Sequence, residues 1–161
     1  MTTTKTAAAT KTPTVDKDVI ALLRSDGGAV SHLFAEDEKT HSVTDKNALV
    51  ADICAAVIVH AQIEEEIFYP AVRAASRDKL LVTEAMDEQA GVKDPIARLE
   101  GVEPDGELYD TRVKVLSQYV KHHVKEEQQE MFPKAKASWL DMTELGPRMT
   151  TRKDDLMAHK A

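Results

Sequence analysis

The chain has 161 residues, with 28 Asp and Glu against 21 Lys and Arg and a net charge of −7; its bases are spread along the sequence, which argues against a nucleic-acid surface. That length suits one domain able to bury a core without covalent staples, and the single cysteine, Cys54, excludes an internal disulfide. No uninterrupted apolar run reaches the roughly 18 residues of a membrane span and no signal-peptide core is present, so the expectation is a cytoplasmic protein without membrane or nucleic-acid partners.

Residues 1–15 are mostly Thr, Ala and Lys and read as a disordered tail. A first helix is expected from Asp16 or Asp18, acids that suit a helix N-terminus, with Val19, Ile20, Leu23, Gly27, Val30 and Phe34 inward. Each glycine of Gly27-Gly28 costs a helix about 1 kcal/mol relative to Ala. The pair reads either as a break between two short helices or as a place where side-chain volume is missing. The second helix, capped at Thr44-Asp45, extends to about Ala75, and Pro70 is expected to kink or end it. Its inward stripe is Leu49, Ile53, Val57, His60, Glu64 and Ile67, at the i, i+3, i+4 spacing.

A third helix is expected over Arg77 to Leu99, bent at Pro95, with Leu81, Ala85, Glu88 or Gln89, Val92, Ile96 and Leu99 inward. Glu100 to Gly106 is a connector rich in Gly and Pro. The fourth helix spans Glu107 to Phe132, with Leu108, Arg112, Leu116, Tyr119, His123, Glu127 and Met131 inward. Trp139, Leu140 and Met142 are expected to pack on the bundle, ahead of a last short helix ending near Met157. Strand-like alternation is absent. The pattern predicts an all-α fold: an up-down-up-down four-helix bundle over residues 16–140, with a C-terminal helical extension over 141–161.

Two pairs on these stripes carry chemistry, His60 with Glu64 and His123 with Glu127. A spacing of four on a helix returns to within about 40° of the starting direction, so each pair shares a face. A carboxylate on a buried stripe is costly unless it is paired, hydrogen-bonded or bound to a metal. Both helices run on to an aromatic–proline ending, Phe68-Tyr69-Pro70 and Met131-Phe132-Pro133. This reads as an internal repeat with one extra residue between histidine and phenylalanine in the second copy. Imidazole with carboxylate suits iron, manganese or zinc, and bundle cores host such sites. A histidine–glutamate hydrogen bond alone also accounts for either pair. Ser31 beside His32, and the isolated Ser117, form no nucleophile–base arrangement.

Asp18 to Asp26, His60 to Pro70, and Tyr119 to Glu127 with Met131 to Pro133 resemble the hemerythrin-like, HHE cation-binding family over about residues 16–140. The resemblance implies a four-helix bundle holding a carboxylate-bridged pair of non-haem irons. It also implies a role in oxygen binding, oxygen or redox sensing, iron handling, or peroxide or nitric oxide chemistry. It places metal ligands at His60, Glu64 and His123. The last falls at Glu127, because the next position, used by other members, is Gln128 here. The chain departs from the family pattern twice. Asp26-Gly27 stands where members carry Asp-His, and Glu88-Gln89 stands where they carry Glu-His. His60, Glu64, His123 and Glu127 suffice for one ion and are few for two. Glu88 is a further candidate carboxylate, while His32 and His41 read as surface imidazoles. The expectation is a metal protein with an altered or incomplete di-iron site, one ion or two, with dioxygen or another small molecule as its ligand. Any enzymatic activity would be oxygen- or peroxide-handling. The competing reading, motivated by Gly27 and Gln89, is a metal-poor bundle acting as a binding or regulatory module.

Overall fold

A computed structural model describes residues 18–100, 102–103 and 106–159; the expected tail at 1–15 and the alternative start at Asp16 lie outside them. Asp18 caps the first helix, α1 (Val19–Lys39), by accepting a hydrogen bond from the Ala21 N–H at 2.8 Å. α1 runs through Gly27-Gly28 without a break. The glycines are therefore missing volume rather than a hinge. A Cβ added at Gly27 would meet Val124 Cγ2 at 3.6 Å, an ordinary contact, and one added at Gly28 would meet nothing within 4 Å. Gly28→Ala should accordingly stabilise the protein by about 1 kcal/mol, read as a higher urea midpoint at unchanged m-value.

The second helix, α2, covers Val43–Ala75. It starts one residue before the expected cap, because Ser42 rather than Thr44 accepts from the Asp45 N–H, at 3.4 Å. Pro70 does not end it. The stretch Glu64–Phe68 winds as a π turn in which the Tyr69 N–H bonds the Glu64 carbonyl, five residues back. Proline has no N–H and its ring crowds the carbonyl four residues behind it; the wider turn removes that conflict. An 18-residue window of α2 has a mean hydropathy of 1.3, enough by length and composition to cross a bilayer. Here α2 is one helix of the bundle, with Ile53, Val57, Ala61, Ile63 and Phe68 buried on its inward side and Ile58 exposed.

The third expected helix is two pieces, α3 (Lys79–Ala90) and the short α4 (Lys93–Ala97). The break falls at Gly91 and Val92, not at Pro95, which lies inside α4. The last bundle helix, α5, covers 107–137: an α segment Glu107–Glu126, a π turn Glu127–Met131, and a further α segment Phe132–Ala137. Its Leu108 is exposed rather than inward. The Phe132 N–H bonds the Glu127 carbonyl, so the second proline, Pro133, is accommodated as the first is. The two copies are therefore in register residue for residue. His60, Glu64, Phe68, Tyr69 and Pro70 correspond to His123, Glu127, Met131, Phe132 and Pro133, and the extra residue expected from matching Phe to Phe does not exist.

The C-terminal helix, α6 (Met142–Ala158), packs on α1 and α2 through buried Leu145 and Met149. Trp139 corrects the expectation for its segment: it is 98% exposed, while Leu140 and Met142 are partly buried against the core. The described residues contain no strand.

Two apolar clusters fill the bundle. One holds Leu23, Ile63, Phe68, Met131 and Met149, and the other holds Val30, Val57, Val92, Leu116 and Val120. Between them along each helix lies a polar residue: Asp26 on α1, His60 and Glu64 on α2, Gln89 on α3, His123 and Glu127 on α5. A polar layer cutting a core in two opposes hydrophobic burial and needs compensating partners. Its geometry identifies the site.

Candidate metal centre

His60, Glu64, His123 and Glu127 each offer a ligand atom, and the four atoms lie within 4.8 Å of one another. Sequence spacing put each histidine and its glutamate on one face; the facing of α2 and α5 brings the pairs together. His60 Nε2 lies 2.6 Å from Glu64 Oε1, and His123 Nε2 lies 3.4 Å from the same oxygen and 2.8 Å from Glu127 Oε2. The two imidazoles meet edge to face, with centroids 6.1 Å apart. Glu64 is fully buried and Glu127 nearly so. Glu64 Oε2 has no hydrogen-bond partner among the described residues. An unpaired buried acceptor costs about 1–3 kcal/mol, more when charged, and a cation among the four donors would supply the missing partner. The donor set, two imidazoles and two carboxylates, fits such an ion.

The electrostatics follow from this crowding. Burial pushes the Glu64 carboxyl up, but His60 and then His123 outweigh burial and hold it well below the usual carboxylate range. Burial works against the His60 imidazolium too, and Glu64 and Asp26 raise it well above its ordinary value. His123, also opposed by burial, is pushed up to about 10 by Glu127 and Glu64. Glu127 moves the other way for a carboxylate, to about 7, first through burial and then through the charge of Glu64, with His123 pulling it down. The Tyr69 hydroxyl donates to Glu127 Oε2 at 3.5 Å, and burial, followed by the two glutamates, pushes its ionisation far up. It therefore stays a neutral donor.

Outer contacts extend beyond the four residues singled out by spacing. Asp26 Oδ2 lies 3.4 Å from His60 Nδ1, and Lys153 of α6 pairs with the other Asp26 oxygen. Sequence reasoning placed Asp26 beside a missing histidine and gave it no role of its own. Its position one turn after Leu22 and Leu23, on the buried face of α1, was the available signal. Lys153 left no signal, since only the tertiary fold brings α6 over α1.

The two departures from the family pattern leave a small gap at Gly27 and a buried Gln89 whose Oε1 has no hydrogen-bond partner among the described residues. The Gln89 amide nitrogen donates to the Ala61 carbonyl at 3.1 Å. Val124 stands opposite Gly27. A small cavity of about 30 Å³ remains on this side, touched by Gly27, His60, Gln89 and His123. Glu88 does not join the buried group. It is exposed and gathers instead with His122 and Glu126. These line or flank a cleft of about 470 Å³ whose walls include Glu84, Glu88, Glu126 and Glu130, and which reaches His123 and Glu127. His32 and His41 are exposed, as expected.

The hemerythrin HHE cation binding domain matches residues 18–135. A solved structure of a hemerythrin HHE cation binding domain-containing protein from Mycobacterium kansasii superposes with a TM-score of 0.76 at 20% identity, covering 88% of each chain; at that identity the likeness shows the fold. A DNA nickase from Nostoc sp. is 26% identical over 117 residues, which is 73% of this chain and 33% of the relative. The chain thus spans about a third of that relative's length.

Proposed function

From its membership of the hemerythrin HHE cation-binding family, we propose that this chain binds a single non-haem iron ion through His60, Glu64, His123 and Glu127. The observation that carries the reading is the convergence of four donor atoms from two facing helices around the unpartnered Glu64 Oε2. One ion rather than two is the reading favoured by the glycine at position 27, which offers no ligand, and by the tie of the Gln89 amide nitrogen to the Ala61 carbonyl. Iron in a histidine–carboxylate setting supplies redox and oxygen chemistry when bound. The protein's part is to fix four ligands, hold a neutral Tyr69 against Glu127, and keep apolar walls around the centre. The cavity beside Gly27 has room for about one water-sized ligand. That makes a small molecule such as dioxygen the natural second partner.

A metal-poor regulatory bundle remains the alternative, favoured by one observation: each histidine already has a glutamate within hydrogen-bonding distance. Melting with iron, and again with chelator, separates the readings. An ion that binds only the folded state adds about 2.7 kcal/mol at a hundredfold excess over Kd. Several degrees of stabilisation reversed by chelator is the expected result, with one iron per chain by elemental analysis. An identical melt in both conditions is the outcome of the regulatory reading.

A further inference from the structure

α6 stands outside the four-helix bundle, yet it reaches the polar layer. Lys153 Nζ pairs with Asp26 Oδ1 at 2.5 Å, and Asp26 Oδ2 lies 3.4 Å from His60 Nδ1. We propose that α6 forms the outer wall of the metal centre, and that Lys153 is a positioning residue acting through Asp26 to hold His60 with Nε2 turned toward Glu64 and His123. This inference rests on the metal reading above.

The chemistry of imidazole makes the chain of contacts consequential. A neutral ligating histidine has one N–H, and the nitrogen that bonds the metal must be the bare one. A carboxylate at Nδ1 keeps the proton there and leaves the Nε2 lone pair for the ion. Asp26 does this only while its own plane is fixed. It is 8% exposed, so water does little to hold it. Lys153 takes one oxygen and leaves the other facing the ring.

A second tie holds the same helix without touching Asp26. Arg152 grips Glu66, in the first π turn, with hydrogen bonds of 2.7 and 3.2 Å. Arg152 and Lys153 are sequence neighbours on one helix, yet only Lys153 is linked to a ligand. Whatever fixes His60 also fixes Asp26 and Lys153, so metal binding and docking of α6 strengthen each other by the same factor.

The test titrates Zn²⁺, a redox-inert probe of histidine and carboxylate sites, into the full chain and follows amide exchange across 142–158. Lys153→Met should bind Zn²⁺ about tenfold more weakly, at the low end of the effect of outer-shell partners. Lys153→Arg should restore binding to within about threefold of wild type, and Arg152→Met should loosen α6 while leaving Zn²⁺ affinity within about threefold. Zn²⁺ should slow exchange across 142–158 in wild type and much less in Lys153→Met. Equal weakening by Lys153→Met and Arg152→Met overturns the proposal, because α6 would then act by packing alone. Wild-type affinity in Lys153→Met overturns it too. A wild-type chain that takes up no Zn²⁺ removes the metal reading itself, and this inference with it.

Discussion

His60→Ala should reduce affinity for a divalent ion by more than about a hundredfold, beyond the range that outer-shell partners command. The substitution removes one of four donors, and it also strips Glu64 of its nearest partner, 2.6 Å away. Glu64 is 0% exposed. Breaking one member out of a buried ion pair leaves an uncompensated charge and costs about 3–5 kcal/mol, so the variant should also melt lower without metal. His60→Gln separates the two effects. It keeps a side-chain donor near Glu64, recovers part of the stability, and should recover little of the affinity. Calorimetric titration together with thermal melts of the three proteins reads both quantities. Tight metal binding by His60→Ala would remove His60 from the ligand set.

The second large effect is on pH. An ion can bond the imidazoles only after they lose the protons that Glu64, Glu127 and Asp26 help them keep. With His123 pushed up to about 10, His60 well above its ordinary value and Glu127 near 7, metal uptake around neutrality displaces two or more protons. Affinity should rise between about tenfold and a hundredfold per pH unit from pH 7 to 9. The metal-free protein should respond in the opposite sense. His123 ionises at 6.5 when unperturbed and at about 10 in the fold, so its stabilising contribution is complete below 6.5 and is lost as pH rises toward 10. Glu127, raised from 4.5 to about 7, holds its proton more tightly in the fold; its contribution fades as pH climbs through that interval. Glu64, held below its ordinary value, contributes above 4.5 and loses that contribution only on strong acidification. Metal-free melting temperature should therefore fall from about pH 6 to pH 9 while the increment added by metal grows. A pH-independent affinity would mean that the histidines are already neutral, or that they do not ligate.

Much of this was legible in the sequence because helical periodicity converts spacing into direction. The inward stripe of α2 exposed His60 and Glu64 as polar residues out of place among apolar ones, and His123 and Glu127 repeated the signal. What periodicity missed was local winding. Both π turns begin at the glutamate of a pair, where an α-helical ruler ceases to apply, so Pro70 read as a kink or an end; the second copy read as one residue too long because Phe68 was matched to Phe132 rather than to Met131. Trp139 was misjudged because a large aromatic favours burial on average, while here it follows the end of the last α segment of α5 and points into solvent. Gly27-Gly28 gave two readings by propensity alone. Tertiary packing supported the helix, and only the coordinates decided between them. Lys153 was unreadable for a simpler reason: its partner Asp26 is 127 residues away.

The matched wide turns also fix where this chain can change its length. A π turn winds five residues through about the angle that four cover in an α-helix, so removing one residue from 65–67 would close the turn into ordinary α-helix and leave everything beyond it facing nearly as before. Phe68, Tyr69 and Val72, all buried in one apolar cluster, would keep facing their neighbours while His60 and Glu64 stayed in place. The same deletion within 128–130 would leave Met131, Phe132 and Ala135 on the core side. Such a deletion would cost mainly the renewed crowding of Pro70 or Pro133 against the carbonyl four residues back, about 3 kcal/mol, whereas a deletion in the α segments on either side would turn every later side chain by about 100°.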